Sequence, residues 1–312
     1  MSDDVTTRRK KRIVARLAAL AIVAACASSA MLAWVAFLPG SCSFAATTRV
    51  SSESSSAFLR RAGRIVPETL ITKYRDTRSG RFTFACVTHV WPSAAWSALA
   101  PFQLLAFSSA FKFKSLKKKN AGGASLSWRR AHRVAGRALV ATSATMTFGY
   151  VFAIHKKGLH FHKHDFPSLE SDEAFSAAPA LAALWRVVGG ADAFEAFEHA
   201  CACWFFATAA FAAFVAARGN RTGDRRRWVR RHRAWAIRHL AAGYSVAAQR
   251  ALVALFHVSC RFFFAERACA SPAAQKGIFA DALVLGTALC VAAGEAAIRD
   301  ADALDEPEGK EE

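Results

Sequence analysis

Long uncharged runs alternate with short basic blocks along this chain. Residues 1–16 are polar and basic (Arg8, Arg9, Lys10, Lys11, Arg12, Arg16), and Leu17 to Leu38 is then free of charge. A helix of about 20 apolar residues crosses the ~30 Å hydrocarbon core of a bilayer. The same pattern predicts spans over Val90–Phe111, about Val134–Ile154, Ala200–Ala217, Leu240–Cys260 and Ile278–Ile298. The last is the weakest, because Asp281 and Glu295 flank its apolar middle. Alanine-rich apolar sequence favours helix over strand, and lipid demands internally satisfied backbone. The expectation is an all-α integral membrane helical bundle of about six transmembrane helices with both termini inside.

This pattern divides the chain into a basic N-terminus with a first anchor (1–38), an outer loop (39–88), the bundle (89–298) and an acidic disordered tail (299–312). The first apolar run exceeds the ~7–15 residues of a signal-peptide core, which favours an uncleaved anchor. Small residues around Cys42–Ala46 keep a cleaved signal as the alternative. Pro101 inside the second span frees a carbonyl and implies a kink or a packed interior.

Charge supports the same layout. The 312 residues are 54% hydrophobic yet carry a net charge of +19. In a soluble protein such a balance points to nucleic acid. Here the Lys and Arg blocks sit between apolar runs, as positive-inside loops do, and no zinc-finger spacing, basic zipper or RNA-binding aromatic signature accompanies them. The partner implied is the bilayer, with anionic lipid headgroups against the Arg225–Arg233 collar, and no nucleic acid. Arg250 stands apart, roughly 18 Å beyond Arg238 along one helix. A charge at that depth costs about 2.5–3.5 kcal/mol or more, so it faces the bundle interior. A buried ion pair and a bound anionic group are both open as its partner.

Of eight cysteines, Cys26, Cys201, Cys203 and Cys290 fall in spans, where cysteine acts as a small apolar residue. Cys42, Cys86, Cys260 and Cys269 fall in or beside outer loops, the oxidising side of such a topology. Disulfides Cys42–Cys86 and Cys260–Cys269 are the first pairings to expect, with free thiols as the alternative.

The chain has ten histidines, and five of them (His89, His132, His199, His232 and His239) recur at the mouths of alternating helices. His132 and His232 (or His239) lie at the inner mouths of spans three and five; His89 and His199 lie at the outer mouths of spans two and four. Two histidines from different helices at one depth can ligate a b-type haem iron, so these four are candidate metal ligands. Gly136 and Gly243 follow His132 and His239 by four residues, on the same helix face, and leave room for a macrocycle edge. Arg137 and Arg238, with Arg133, are candidate partners of haem propionates, and Arg250 a candidate anion contact. The alternative for each histidine is a polar interfacial side chain. His257 reads as a bundle histidine with a hydrogen-bond partner. His155, His160, His162 and His164, with Asp165, could bind zinc or copper, but read better as a solvated loop.

Two motifs carry a resemblance. His132-Arg-Val-Ala-Gly136-Arg137 is similar to the H-R-x-x-G-R signature of an uncharacterised multi-pass membrane family, domain of unknown function 2306, and His232-Arg-Ala-Trp-Ala-Ile-Arg238 to its H-R-R-W-M-I-R signature. Arg250, His89 and Pro101-Phe102-Gln103 follow the same order, so the likeness covers about residues 80–260. Ala236 and His239 depart from the pattern. The resemblance implies a membrane helical bundle and no settled activity. In arrangement alone, the histidine plan also resembles the cytochrome b561 electron carriers, whose haems lie between helices two and four and helices three and five. His89 with His199, and His132 with His232, are the corresponding pairs. A transporter or channel using Arg250 and Gln249, and a structural protein held by lipid headgroups, are the competing expectations; no hydrolase or kinase motif is present.

Overall fold

The computed structural model describes residues 2–37, 86–116, 122–155, 190–219, 224–263 and 272–305. They form six long helices: α1 (Ser2–Phe37), α2 (Trp91–Leu116), α3 (Gly122–Gly149), α4 (Gly190–Gly219), α5 (Arg225–Phe263) and α6 (Pro272–Asp305), with no strand among the described residues. A π-helical turn, Cys86–Val90, leads into α2, and another, Tyr150–His155, closes α3.

The helices run alternately up and down. His89 of the first π turn bonds Met146 late in α3, while Gln103 further along α2 bonds the His132 carbonyl early in α3. His232 and His239 of α5 contact Ala212 and Phe205 of α4 in reverse order. Arg233, Arg238 and Gln249 of α5 likewise meet Asp302, Glu295 and Phe279 of α6. The start of α1 and the end of α6 share one end of the bundle, where Arg16 lies 3.8 Å from Asp300 and Leu17 and Leu20 pack near Ile237, Ala297 and Ile298.

That end is basic: it carries Arg8, Lys11, Arg12 and Arg16 of α1, Arg130, Arg133 and Arg137 of α3, and the arginines opening α5. Cations at a helix N-terminus oppose its dipole. Asp224 offsets this at α5, its Oδ1 accepting the Arg227 backbone N–H at 3.2 Å as an N-cap does. The opposite end carries Asp192, Glu195 and Glu198 of α4.

Three helices contain stretches long and apolar enough to cross a membrane: Lys11–Leu32, Asp192–Gly219 and Gly277–Leu304. Ile22, Val23, Phe206, Phe211, Phe214 and Leu289 point outward and are exposed. Large apolar side chains exposed on span-length helices suit a lipid surrounding. The chain is thus an all-helical bundle built for membrane association.

Small residues allow α5 and α6 to pack closely. Gly286 lies against the backbone of Gln249 and Ser245 and the Ala248 methyl, and Gly294 against Ala241. Pro101 follows the fully buried Ala100, so the packed-interior alternative describes it. The expectation of a disordered tail from Arg299 is corrected up to Asp305: α6 continues there, because Asp300 and Asp302 find arginines on α1 and α5. Cys26, Cys201, Cys203 and Cys290 are free thiols, while Cys86 is disulfide-bonded. Cys42, Cys260 and Cys269, and so both anticipated pairings, lie outside the described residues.

Candidate functional site

The bundle centre is built around His239, which is 2% exposed. Trp96 of α2 donates its indole N–H to His239 Nε2 at 3.1 Å. Indole nitrogen is a donor only, so Nε2 is the acceptor nitrogen and the proton sits on Nδ1. That Nδ1–H is 3.2 Å from the Phe205 carbonyl and 3.3 Å from Thr208 Oγ1, both on α4. Ser143 Oγ of α3 lies 2.9 Å from Nε2 and 2.7 Å from the Leu139 carbonyl. Trp96 also meets Phe205 and Tyr244 edge-on, and the Tyr244 hydroxyl reaches Ser28 of α1 at 2.8 Å. One layer of side chains therefore ties five helices together.

This corrects two expectations. His239 is not a ligand alternative to His232, since both its ring nitrogens are engaged. The space beside Gly243 is not a haem cradle: the Trp96 ring fills it so closely that even a Cβ would overlap the indole. The flat group that the glycine admits is the protein's own. Gly136 differs. A Cβ there would meet only the Gln103 amide at ordinary contact distance, so the face beside His132 keeps its room.

On either side of this layer the four predicted histidines form two levels. From His132 to Met146, the carbonyl that His89 contacts, α3 rises about 20 Å. At the basic end His132 and His232 sit close enough to interact electrostatically. They flank the apolar spans, and burial pulls both imidazoles below their ordinary range; the neighbouring His232 lowers His132 further, while the carbonyl bond of His232 partly opposes its own shift. His232 Nδ1 donates to the Ala212 carbonyl at 3.1 Å. At the other end His89 Nδ1 contacts the Met146 carbonyl at 3.0 Å and His199 Nδ1 the Glu195 carbonyl at 2.7 Å. A carbonyl on Nδ1 fixes the tautomer that presents the Nε2 lone pair, the arrangement that metal-binding histidines use.

The two levels are unequal. The Tyr150 ring stands 6.4 Å from His89 and 6.3 Å from His199, so that pair is joined through a phenol rather than facing across a gap. Tyr150 opens a π-helical turn, an irregularity enriched at functional sites. Its hydroxyl is buried with no hydrogen-bond partner among the described residues. For a planar ligand, the His132–His232 level with its open Gly136 is a better fit than the His89–His199 level. No group of three or more metal-ligating side chains occurs among the described residues; axial ligation of haem needs only two.

Arg238 grips Glu295 with Nε at 2.6 Å and a second nitrogen at 3.1 Å, and lies over Trp235. Arg137 is exposed. Arg250 lies over the Phe279 ring at 5.0 Å, next to Gln249, which donates to the Phe279 carbonyl. Buried Asp281 follows two residues along α6. A structural role thus meets the cost of Arg250 with neighbours of the bundle itself. The side chains of His155 and His257, and all of His160, His162 and His164, lie outside the described residues.

Sequence reasoning passed over Trp96, Ser143, Thr208 and Tyr150. Gly243, four residues after a histidine, was the available signal, and a buried tryptophan answers it as well as a cofactor does. No family model, curated protein or solved structure matches this chain.

Proposed function

We propose that this is a six-span membrane protein with both termini on the inner face, which holds b-type haem and carries electrons across the bilayer. One observation carries the reading. Histidines from separate helices gather at two depths, three of them with Nδ1 on a backbone carbonyl so that Nε2 is the lone-pair nitrogen. His132 and His232 would hold the first haem, beside Gly136. His89 and His199 would hold a second, which requires the Tyr150 ring to swing aside. The likeness in arrangement to the cytochrome b561 plan supports the same pairs. The basic end suits the inner face by the positive-inside rule.

Haem, when bound, supplies a one-electron carrier. The chain's own residues do the rest. Burial keeps the His132 and His232 imidazoles neutral and able to ligate. The Ala212 carbonyl orients the His232 ring, and the Trp96–His239–Tyr244 layer keeps water out of the bundle centre. The test is the visible spectrum of the full chain purified after haem-supplemented expression. A Soret band that loses one haem's share in His232→Ala and regains it with added imidazole supports the reading. A folded sample with no Soret band ends it.

A further inference from the structure

The basic collar has two unlike sides. Toward α6 its arginines are neutralised: Arg233 by Asp302 at 2.6 Å, Arg238 by Glu295 at 2.6 Å, and Arg16 by Asp300 at 3.8 Å. Toward α4 they are not. Arg218 lies 5.7 Å from the Phe214 ring centre and 6.0 Å from that of Trp228, and Arg231 lies 5.6 Å from that of Trp228. Neither has a carboxylate partner among the described residues. Both are exposed.

The aromatic platform between them is built in. Trp228 approaches the end of α4 so closely that its Cβ would lie 2.9 Å from a Cβ at Gly219, and only glycine admits it. Further along α4, Phe211, Phe214 and Phe206 are 49%, 54% and 48% exposed, and Phe211 stacks on Trp235 at 4.7 Å. Phe211 and Phe214, three residues apart, share a helix face. Two uncompensated guanidinium groups at the basic end therefore stand directly above an apolar aromatic strip.

We infer that this α4–α5 face is a binding site for an anionic phospholipid. Arg218 and Arg231, both over Trp228, take the phosphate, and the acyl chains lie along Phe214, Phe211 and Phe206. Charge complementarity selects the headgroup, since guanidinium binds phosphate oxygens in pairs. The aromatic rings hold the arginines in place before the lipid arrives, and tryptophan belongs at headgroup depth. The inference does not depend on haem.

The test uses the full chain in lipid nanodiscs. Affinity for phosphatidylglycerol over phosphatidylcholine is measured for the wild type, for Arg218→Gln with Arg231→Gln, and for Arg226→Gln with Arg227→Gln. The last removes the same charge from exposed arginines at the same end of the bundle. We expect about a tenfold loss in the first pair, the scale of two arginines at a membrane surface, and less than about twofold in the control. Gly219→Ala, which keeps every charge but displaces Trp228, should weaken the preference about threefold, a minor share of the same headgroup attraction. On the wild type alone, phosphatidylglycerol with brominated chains should quench the fluorescence that Trp228→Phe removes, and brominated phosphatidylcholine should not. Equal loss in both arginine pairs, equal quenching by both lipids, or displacement by inorganic phosphate alone would overturn the site.

Discussion

The Trp96 indole N–H donates to His239 Nε2 at 3.1 Å, and this bond fixes the tautomer of a histidine at the centre of the bundle. With Nε2 accepting, Nδ1 must carry the proton that α4 receives. The bond thus matches an indole that can only donate to the one nitrogen of His239 that can accept.

Trp96→Phe should therefore cost about 1–3 kcal/mol in unfolding experiments, since it leaves a buried acceptor short of its donor. Gly243→Ala should cost about 1–3 kcal/mol by overpacking the indole. The double variant should be less destabilised than the sum, because the benzo ring atoms that a Cβ at 243 would strike are those that phenylalanine lacks. Strict additivity would mean that the two residues do not share this space.

The helices, and the two histidine levels, were legible in the sequence because apolar run length and the position of a histidine within it both map directly onto depth. Side-chain partners were not. Arg238 beside His232 reads as an anion site, and only the fold brings Glu295 from a helix further along the chain to its guanidinium. Gly243 announces a flat neighbour without naming it. Asp300 and Asp302 look like part of a solvated acidic tail until α1 and α5 present arginines to them.

His132→Ala and His232→Ala should each remove one haem's share of the Soret signal while His239→Ala retains all of it at lower stability, which separates the ligand level from the packing layer in one set of spectra. The pH dependence follows from the two depressed histidines, His132 and His232. Below the ordinary value of 6.5 the unfolded chain takes up protons first, while the folded rings stay neutral. Stability and haem retention should both fall as pH drops from 6.5 toward the folded values, and stay level above 6.5. Acid titration of haem loss in the wild type, with acid unfolding of the wild type and His232→Ala compared, checks the sign.

The two ion pairs of α5 with α6 should differ in strength. Arg238 and Glu295 side chains are 34% and 41% exposed, so Glu295→Gln should cost less than about 1 kcal/mol and less still in high salt. Arg233 is only 9% exposed, and Asp302→Asn removes its carboxylate. That change should cost about 1–3 kcal/mol with little salt dependence, because a largely buried charge loses its counter-charge. Chemical unfolding at two ionic strengths distinguishes the two pairs.

Gly286→Ala tests the α5–α6 seam. Its Cβ would lie 2.9 Å from the Gln249 backbone nitrogen and 3.2 Å from the Ser245 carbonyl oxygen. Backbone cannot step aside as a side-chain tip can, so the helices must separate. Separation would also stretch the Gln249 bond to the Phe279 carbonyl, now 3.1 Å, and shift Phe279 from beneath Arg250. The expected cost is about 1–3 kcal/mol from overpacking, with more from the disturbed polar contacts. At Gly294 the nearest atom is the Ala241 methyl at 3.1 Å, which a small shift relieves, so Gly294→Ala should be milder. Matched thermal unfolding of the two variants would decide it, and equal losses would show that α5 and α6 adjust as rigid cylinders along their whole length.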